Sequence, residues 1–118
     1  CGPLMNLGDV SDASVPKMTM VSPAEHGGVV STRTFIPHRC HASIGVLGAV
    51  SVATACLLPG SPAADVAANN TNALSTLSVE HPSGEMSVII EKTNDGAVDR
   101  AGLLRTARKL FDGDVFID

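Results

Sequence analysis

The sequence predicts an α+β domain in which a mixed, mostly antiparallel β sheet wraps around one central helix. Residues 40–58 form an apolar run that is too long for one strand and carries small residues all round a helical wheel. Strand-like segments, with alternating polarity or β-branched residues, lie on both sides of this run, at residues 16–21, 29–36, 77–81 and 85–91. Because strands and helices do not alternate, a parallel α/β sheet is not expected.

The predicted helix, residues 40–58, is the clearest element. It has no polar face, and a helix of that kind is buried on every side. Its glycines cost about 1 kcal/mol each relative to alanine, which is tolerable where strands pack closely against the backbone. Pro59 and Pro62 end the helix. We therefore expect it to form the centre of the core.

The connections before the helix carry turn residues. Residues 1–15 are rich in Gly, Asp and Ser and are expected to form a loop. Residues 22–28 contain Pro23, Gly27 and Gly28, which fits a hairpin connection between the first two strands.

The segments after the helix are less uniform. Residues 63–73 are expected to be a short helix or an ordered loop, residues 94–96 a turn, and residues 115–117 a last short strand. Residues 98–111 are ambiguous, because their alternation mixes polar with apolar side chains, whereas their Leu, Arg, Ala and Lys residues favour a helix.

Length and composition exclude several classes of function. The 118 residues, 12.1 kDa, suit one domain. An apolar share of 44% with 17% charged residues excludes a disordered tail. A net charge of −4 and an aromatic share of 3% argue against nucleic acid and anionic membranes as partners. The longest apolar run, residues 44–58, is shorter than the ~20 residues that span a bilayer.

The cysteines and the first residue suggest where the chain comes from. The start at Cys1, followed by Gly-Pro, is interpreted as a cut inside a longer chain, so we expect a C-terminal fragment. Three widely spaced cysteines do not resemble a disulfide framework. The expected compartment is the reducing cytoplasm.

A cluster of residues suited to binding or catalysis lies at the start of the predicted helix. It comprises His38, Arg39, Cys40, His41 and Ser43. A helix N-terminus offers unpaired N–H groups to a carboxylate, Arg39 suits a bidentate carboxylate pair, and Ser43 can cap the helix or donate to an anion. A cysteine in this field can act as a general acid or base. The plain alternative is that Cys40 packs in the core and the histidines lie in a surface loop.

Other chemistries have weaker support. His38, Cys40 and His41 could bind a metal ion, but a closed zinc site needs four ligands. Neither a dinucleotide fingerprint nor a P-loop is present, so no cofactor is expected. Residues 81–84, His-Pro-Ser-Gly, could present Ser83 and the Gly84 backbone to an anionic ligand, but a tight turn is the favoured interpretation. The basic run at residues 100–109 is interpreted as a solvated face.

Four motifs in order resemble the C-terminal part of the PrpF-like isomerases. They are GPLMNLGD at residues 2–9, PHRCHASIGVLGA at 37–49, EHPSG at 80–84 and RTARKLFDG at 105–113. The resemblance implies the diaminopimelate-epimerase-like fold, in which two domains each wrap a mixed sheet around a central helix and the active site lies between them. Residues 1–118 would then be a C-terminal domain portion without the N-terminal domain. The resemblance also implies a strand at residues 105–111.

The family's chemistry is cofactor-free proton transfer that moves a double bond in an unsaturated tricarboxylate. The family includes 4-oxalomesaconate tautomerase and methylaconitate isomerase. The resemblance places Cys40 where the epimerase relatives carry a catalytic cysteine. In the tautomerase branch, a lysine and a cysteine of the N-terminal half are the expected acid and base, which leaves Cys40 as a residue that lines the pocket.

The same resemblance implies the substrate-binding residues. They are Arg39, His41 and Ser43, with Met5 and Asn6 in the N-terminal loop. The fragment alone is expected to be inactive, and whether it forms a homo-oligomer stays open. The alternative function is a non-catalytic carboxylate-binding module, which the same cluster would also suit.

Overall fold

The computed structural model describes residues 1–68 and 74–117, with one long helix and a six-stranded sheet. A short 3₁₀ turn, Pro3–Met5, comes first. The other elements, in chain order, are β1 (Met18–Ser22), β2 (Val30–Ile36), β3 (Arg39–Cys40), α1 (Val46–Ala55), α2 (Pro62–Val66), β4 (Leu74–His81), β5 (Gly84–Lys92) and β6 (Val98–Leu103).

The sheet has the strand order β1-β2-β4-β5-β6, and β3 pairs with β2 beside this path. Four of its pairings are antiparallel, and only β2 and β4 run parallel, at Val30–Val79 and Ser31–Glu80. The predicted α+β class with a mixed, mostly antiparallel sheet is confirmed.

The core lies between the central strands and one face of α1. Successive side chains of a strand point to opposite faces, and β5 accordingly buries Met86, Val88 and Ile90 while the residues between them are more exposed. The face of α1 that meets them carries Ala49 and Ala53, both fully buried. These small side chains let the helix backbone approach the sheet closely.

The prediction of a helix over residues 40–58, buried on every side, is wrong for this chain. Helix α1 is shorter, because residue 41 still bonds to β2 and Gly45, in extended conformation, forms the N-cap. Its outer face is open to solvent, with Val46 52% and Leu47 81% exposed. Apolar residues on every side of a helix permit burial all round. In the described part of this chain, however, the sheet covers one side of α1 and leaves the other exposed.

The predicted strand at residues 105–111 is also wrong. The last strand is β6, which pairs with β5, and its final backbone bond joins Leu104 N–H to the Ser87 carbonyl at 3.2 Å. Residues 104–117 are exposed and irregular, and this includes the predicted strand at 115–117. Basic and apolar residues share each side of an extended segment there, so it has no continuous apolar face to bury. The radius of gyration is accordingly 17.2 Å, against about 13.5 Å for a compact chain of this length.

The segment predicted as a short helix or ordered loop, residues 63–73, begins with α2. Ser61 caps this helix by accepting the Ala64 N–H at 3.0 Å, and Pro62 occupies the first helical position. Residues 69–73 lie outside the described part of the chain. Among the described residues, neither α1 nor α2 has the length and apolar character required to cross a bilayer.

Candidate carboxylate-binding site

The candidate site forms where two strands end beside β2. β4 pairs with β2 at Val30 and Ser31, and β3 pairs with it at Phe35 and Ile36. β1 occupies the other edge of β2 along residues 31–35. β3 and β4 therefore share one edge, and since they run in opposite directions, their C-terminal ends point at each other.

The hairpin of β2 and β3 carries four of the predicted residues, at positions 38–41. Arg39 and Cys40 are exposed on the short strand β3, which follows a tight turn after β2. His38, in that turn, donates from Nε2 to the Ser11 carbonyl at 2.9 Å. His41 continues the pairing, because its backbone N–H donates to the Thr34 carbonyl at 2.7 Å. The hairpin therefore presents the row of residues 38–41 along one edge of the sheet.

Ser43 links this row to the end of β4. Its N–H donates to His41 Nδ1 at 2.9 Å, and its Oγ lies 3.3 Å from His81 Nε2. On the far side of that ring, both the N–H and the Oγ of Ser83 lie 3.3 Å from His81 Nδ1. We call His41, Ser43, His81 and Ser83 the junction cluster. Gly45 rather than Ser43 forms the N-cap, so the capping role predicted for Ser43 is wrong.

Sequence reasoning assigned no role to His81, and for Ser83 it favoured a plain tight turn over contact with an anionic ligand. A turn is present, and Gly84 has a φ of +142° that favours glycine. The contact with Ser43 spans 38 residues of chain. It depends on how β3 and β4 converge on β2. The one local signal was the histidine before the turn, a residue type that the Pro-Ser-Gly turn itself does not require.

Cys40 and the N-terminal loop stand apart from the junction cluster. Cys40 belongs to β3 and not to the helix start, and its Sγ lies 3.5 Å from the His41 carbonyl oxygen. Met5 is exposed, and Asn6 has a left-handed φ of 59°. In residues 1–68 and 74–117, no hydrogen bond joins Met5 or Asn6 to residues 39–43, and their segment approaches the site through the Ser11–His38 bond.

A buried carboxylate holds the end of β4 in place. Glu80 is 4% exposed and accepts backbone N–H groups from Glu25 at 2.8 Å, His26 at 2.7 Å and Gly28 at 2.9 Å. The bond from Glu25 is the main cause that lowers the pKa of Glu80, with further lowering by the other two, against an opposing effect of burial. Glu80, the residue before His81, thus ties the end of β4 to the loop before β2.

Two hollows flank this region. A groove of about 660 Å³ opens between β1 and the exposed face of α1; it includes Lys17 and Thr19 on the strand side and Gly45, Leu47 and Ser51 on the helix side. A smaller hollow of about 340 Å³ is lined by His26, Glu80, His81, Pro82, Gly84 and Glu85. Its two carboxylates make it a poor site for an anion. Of the two, it is the larger, mostly apolar groove that borders the start of α1, at Gly45 and Leu47.

The described residues offer little to a metal ion. Within residues 1–68 and 74–117, no three side chains among His, Cys, Asp and Glu are placed to hold one. His38 is engaged with Ser11 and His41 Nδ1 with Ser43. The alternative of a metal site at His38, Cys40 and His41 therefore gains no support from the geometry.

The fold places this chain in a known structural class. It superposes on the crystal structure of methylitaconate-delta-isomerase with a TM-score of 0.68, at 22% identity, over 83% of this chain and 28% of that one. At this identity the likeness establishes the fold alone.

The family follows from the sequence. The family model described as PrpF protein matches residues 1–118, so the chain belongs to the PrpF family, as its motifs predicted. The chain is 65% identical to (4E)-oxalomesaconate Delta-isomerase of Novosphingobium sp. and 59% identical to 4-oxalomesaconate tautomerase of Pseudomonas putida. Each match covers 98% of this chain and 32% of the relative. The chain thus spans about a third of the length of the curated relatives it matches.

Proposed function

We propose that this chain is part of an isomerase that moves a double bond in an unsaturated tricarboxylate of the 4-oxalomesaconate type. The observation that carries the proposal is the match at 65% and 59% identity, over nearly the whole chain, to relatives named as oxalomesaconate isomerase and tautomerase. The reaction is acid–base proton transfer: a proton leaves a carbon next to a carboxylate or an unsaturated group, and another is returned further along the molecule. No cofactor takes part.

The polar residues at the end of β3 are proposed to bind the substrate's carboxylates. Arg39 is exposed, so its planar guanidinium can take a carboxylate in a bidentate pair. His41 and Ser43 follow on the same edge and are half-buried. Donors placed in this way also stabilise the enolate-like intermediate, whose negative charge develops on oxygen.

The proton-transfer groups are proposed to come partly from outside this chain. Cys40 is the proposed catalytic residue here, because its thiol is exposed beside Arg39 and His41. The alternative is that a lysine and a cysteine of an N-terminal domain are the acid and base, in which case Cys40 lines the pocket without transferring protons. Met5 and Asn6 are weaker binding candidates on the neighbouring loop.

The proposed setting follows from the same reasoning. The exposed apolar face of α1 would be covered by the N-terminal domain or by a second copy, since isolated large apolar patches are uncommon on soluble monomers. Three free cysteines suit the cytoplasm as the compartment.

The test is an NMR or ultraviolet assay of double-bond migration. The complete polypeptide containing these 118 residues should isomerise 4-oxalomesaconate, whereas the 118-residue chain alone should not. Cys40→Ala in the complete polypeptide should lower kcat if the thiol transfers protons, and should mainly raise KM if it lines the pocket. Absence of turnover with every unsaturated tricarboxylate, together with calorimetric binding of citrate, would favour the non-catalytic binding module instead.

A further inference from the structure

The junction cluster settles which ring nitrogens carry hydrogen. Backbone N–H groups can only donate, so His81 Nδ1 accepts from Ser83 and His41 Nδ1 accepts from Ser43. In a neutral imidazole, the nitrogen that does not accept is the one that carries the hydrogen. Both rings therefore have their hydrogen on Nε2.

This tautomer sets the direction of the bond to Ser43. His81 Nε2–H donates to Ser43 Oγ across 3.3 Å, so the hydroxyl acts as the acceptor of that bond. Its own hydrogen is left to donate elsewhere, and no acceptor for it is found among residues 1–68 and 74–117. The same holds for Nε2–H of His41. Two hydrogen-bond donors without partners among these residues thus follow Arg39 along the chain, two and four residues after it.

We infer that His81 is a positioning residue of the carboxylate site, holding the Ser43 oxygen so that the Ser43 hydroxyl donates to a substrate carboxylate. The inference rests on the proposed function of residues 39–43 as a carboxylate site. His81 itself need not touch the substrate. Its own support comes from Ser83, which fixes the ring from the turn, and from Glu80, which anchors the strand end through three backbone bonds.

A purely local role for His81 does not account for this arrangement. The bond from Ser83 N–H to Nδ1 stabilises the turn, and Gly84 supplies the backbone conformation the turn requires. Neither feature uses Nε2. The bond of Nε2 to a loop 38 residues earlier in the chain is what a positioning role requires.

The first measurement examines the geometry without a ligand. Nitrogen-15 NMR of the unmutated chain should show unprotonated Nδ1 and protonated Nε2 in His81 and His41. Ser43→Ala should shift the Nε2 signal of His81 and leave that of His26 unchanged. The opposite tautomer in His81, or a His81 Nε2 signal that does not change in Ser43→Ala, overturns the inference independently of the ligand-binding result.

The second measurement uses citrate as the tricarboxylate probe. Loss of one hydrogen bond to a charged acceptor is expected to weaken citrate binding about tenfold in Ser43→Ala and in His81→Leu. His81→Gln keeps an N–H donor and should stay within about twofold of the unmutated chain. His26→Leu is the matched control, since this histidine side chain makes no bond to Ser43. Amide spectra of each variant verify that the fold is retained.

The outcomes separate the two proposals. Binding by the unmutated chain that is equally strong in His81→Leu overturns the role of His81 and leaves the carboxylate site standing. No citrate binding by the unmutated chain overturns the carboxylate site, and the positioning role falls with it. If the His81→Leu variant does not fold, the comparison of Ser43→Ala with His81→Gln and the tautomer measurement decide the matter.

Discussion

The half-exposed helix can be tested with two identical substitutions. Leu77 on β4 is 1% exposed and lies in the core, whereas Leu47 on α1 is 81% exposed. Truncating a buried leucine to alanine costs about 2–5 kcal/mol, because apolar contacts are lost and a cavity remains. The same change at a surface position stays within about 0.5 kcal/mol. Leu77→Ala should therefore be far more destabilising than Leu47→Ala.

The assay is urea unfolding followed by far-ultraviolet circular dichroism, since the chain has no tryptophan or tyrosine to report by fluorescence. A loss of 2 kcal/mol or more should also lower the Tm of Leu77→Ala by roughly 8 °C or more. Equal losses in the two variants, at several protein concentrations, would show that α1 is enclosed on both sides and that the described exposure of Leu47 is wrong. Leu47→Ala should become costly only in a longer polypeptide whose other parts cover this face.

Three further predictions concern single residues. The pKa of Glu80 is lowered in the folded state. Its carboxylate therefore stabilises the fold fully at pH values above the unfolded-state pKa, and this stabilisation is lost as the pH falls through the folded-state pKa. Glu80→Gln should have a lower Tm at pH 7 than the unmutated chain, and its Tm should fall less on acidification. Burial raises the pKa of Cys56 to about 11, so iodoacetamide at pH 8 should modify the exposed Cys1 and Cys40 before Cys56, with the Cys56 rate rising as pH approaches that value. A Cβ on Gly28 would lie 2.7 Å from a backbone carbonyl oxygen, so Gly28→Ala should cost about 1–3 kcal/mol in urea unfolding, whereas Gly102→Ala, with open space around it, should cost much less.

Each of these has an outcome that contradicts it. Parallel pH profiles of Tm for Glu80→Gln and the unmutated chain would contradict a carboxylate stabilised by backbone donors. Modification of Cys56 at the same rate as Cys1 and Cys40, read by mass spectrometry, would contradict the burial of Cys56. Equal unfolding midpoints for the two glycine variants would contradict the close approach of the loop to β4.

The strands were predictable because their pattern is local. Residues 29–36 and 85–91 are rich in β-branched or alternating residues, and they form β2 and β5 with boundaries shifted by about one residue. The turn signals on either side of β5, Pro-Ser-Gly and Asn-Asp-Gly, also depend on a few adjacent residues. The family followed from four motifs in order, and the match over residues 1–118 confirms it.

The helix boundaries and the outer face of α1 were not predictable in this way. Residues 40–45 have the composition of the helix that follows, but the backbone bond between His41 and Thr34 keeps them beside β2. Nothing in residues 105–111 themselves shows whether a neighbouring strand is there to pair with them. Their own pattern was ambiguous between strand and helix, and the family resemblance implied a strand that the chain does not form there.

Local side-chain periodicity and turn chemistry thus specified the α+β class and strands β1, β2, β4 and β5, since these depend on neighbours along the chain, and four motifs in order indicated the family. The candidate site divides along the same line. Arg39, Cys40, His41 and Ser43 could be named from their spacing, but the contact of Ser43 with His81 could not. That contact exists because two strands of opposite direction converge along one edge of β2. The meeting of chain segments so far apart in sequence is set by strand pairing and packing rather than by local preference.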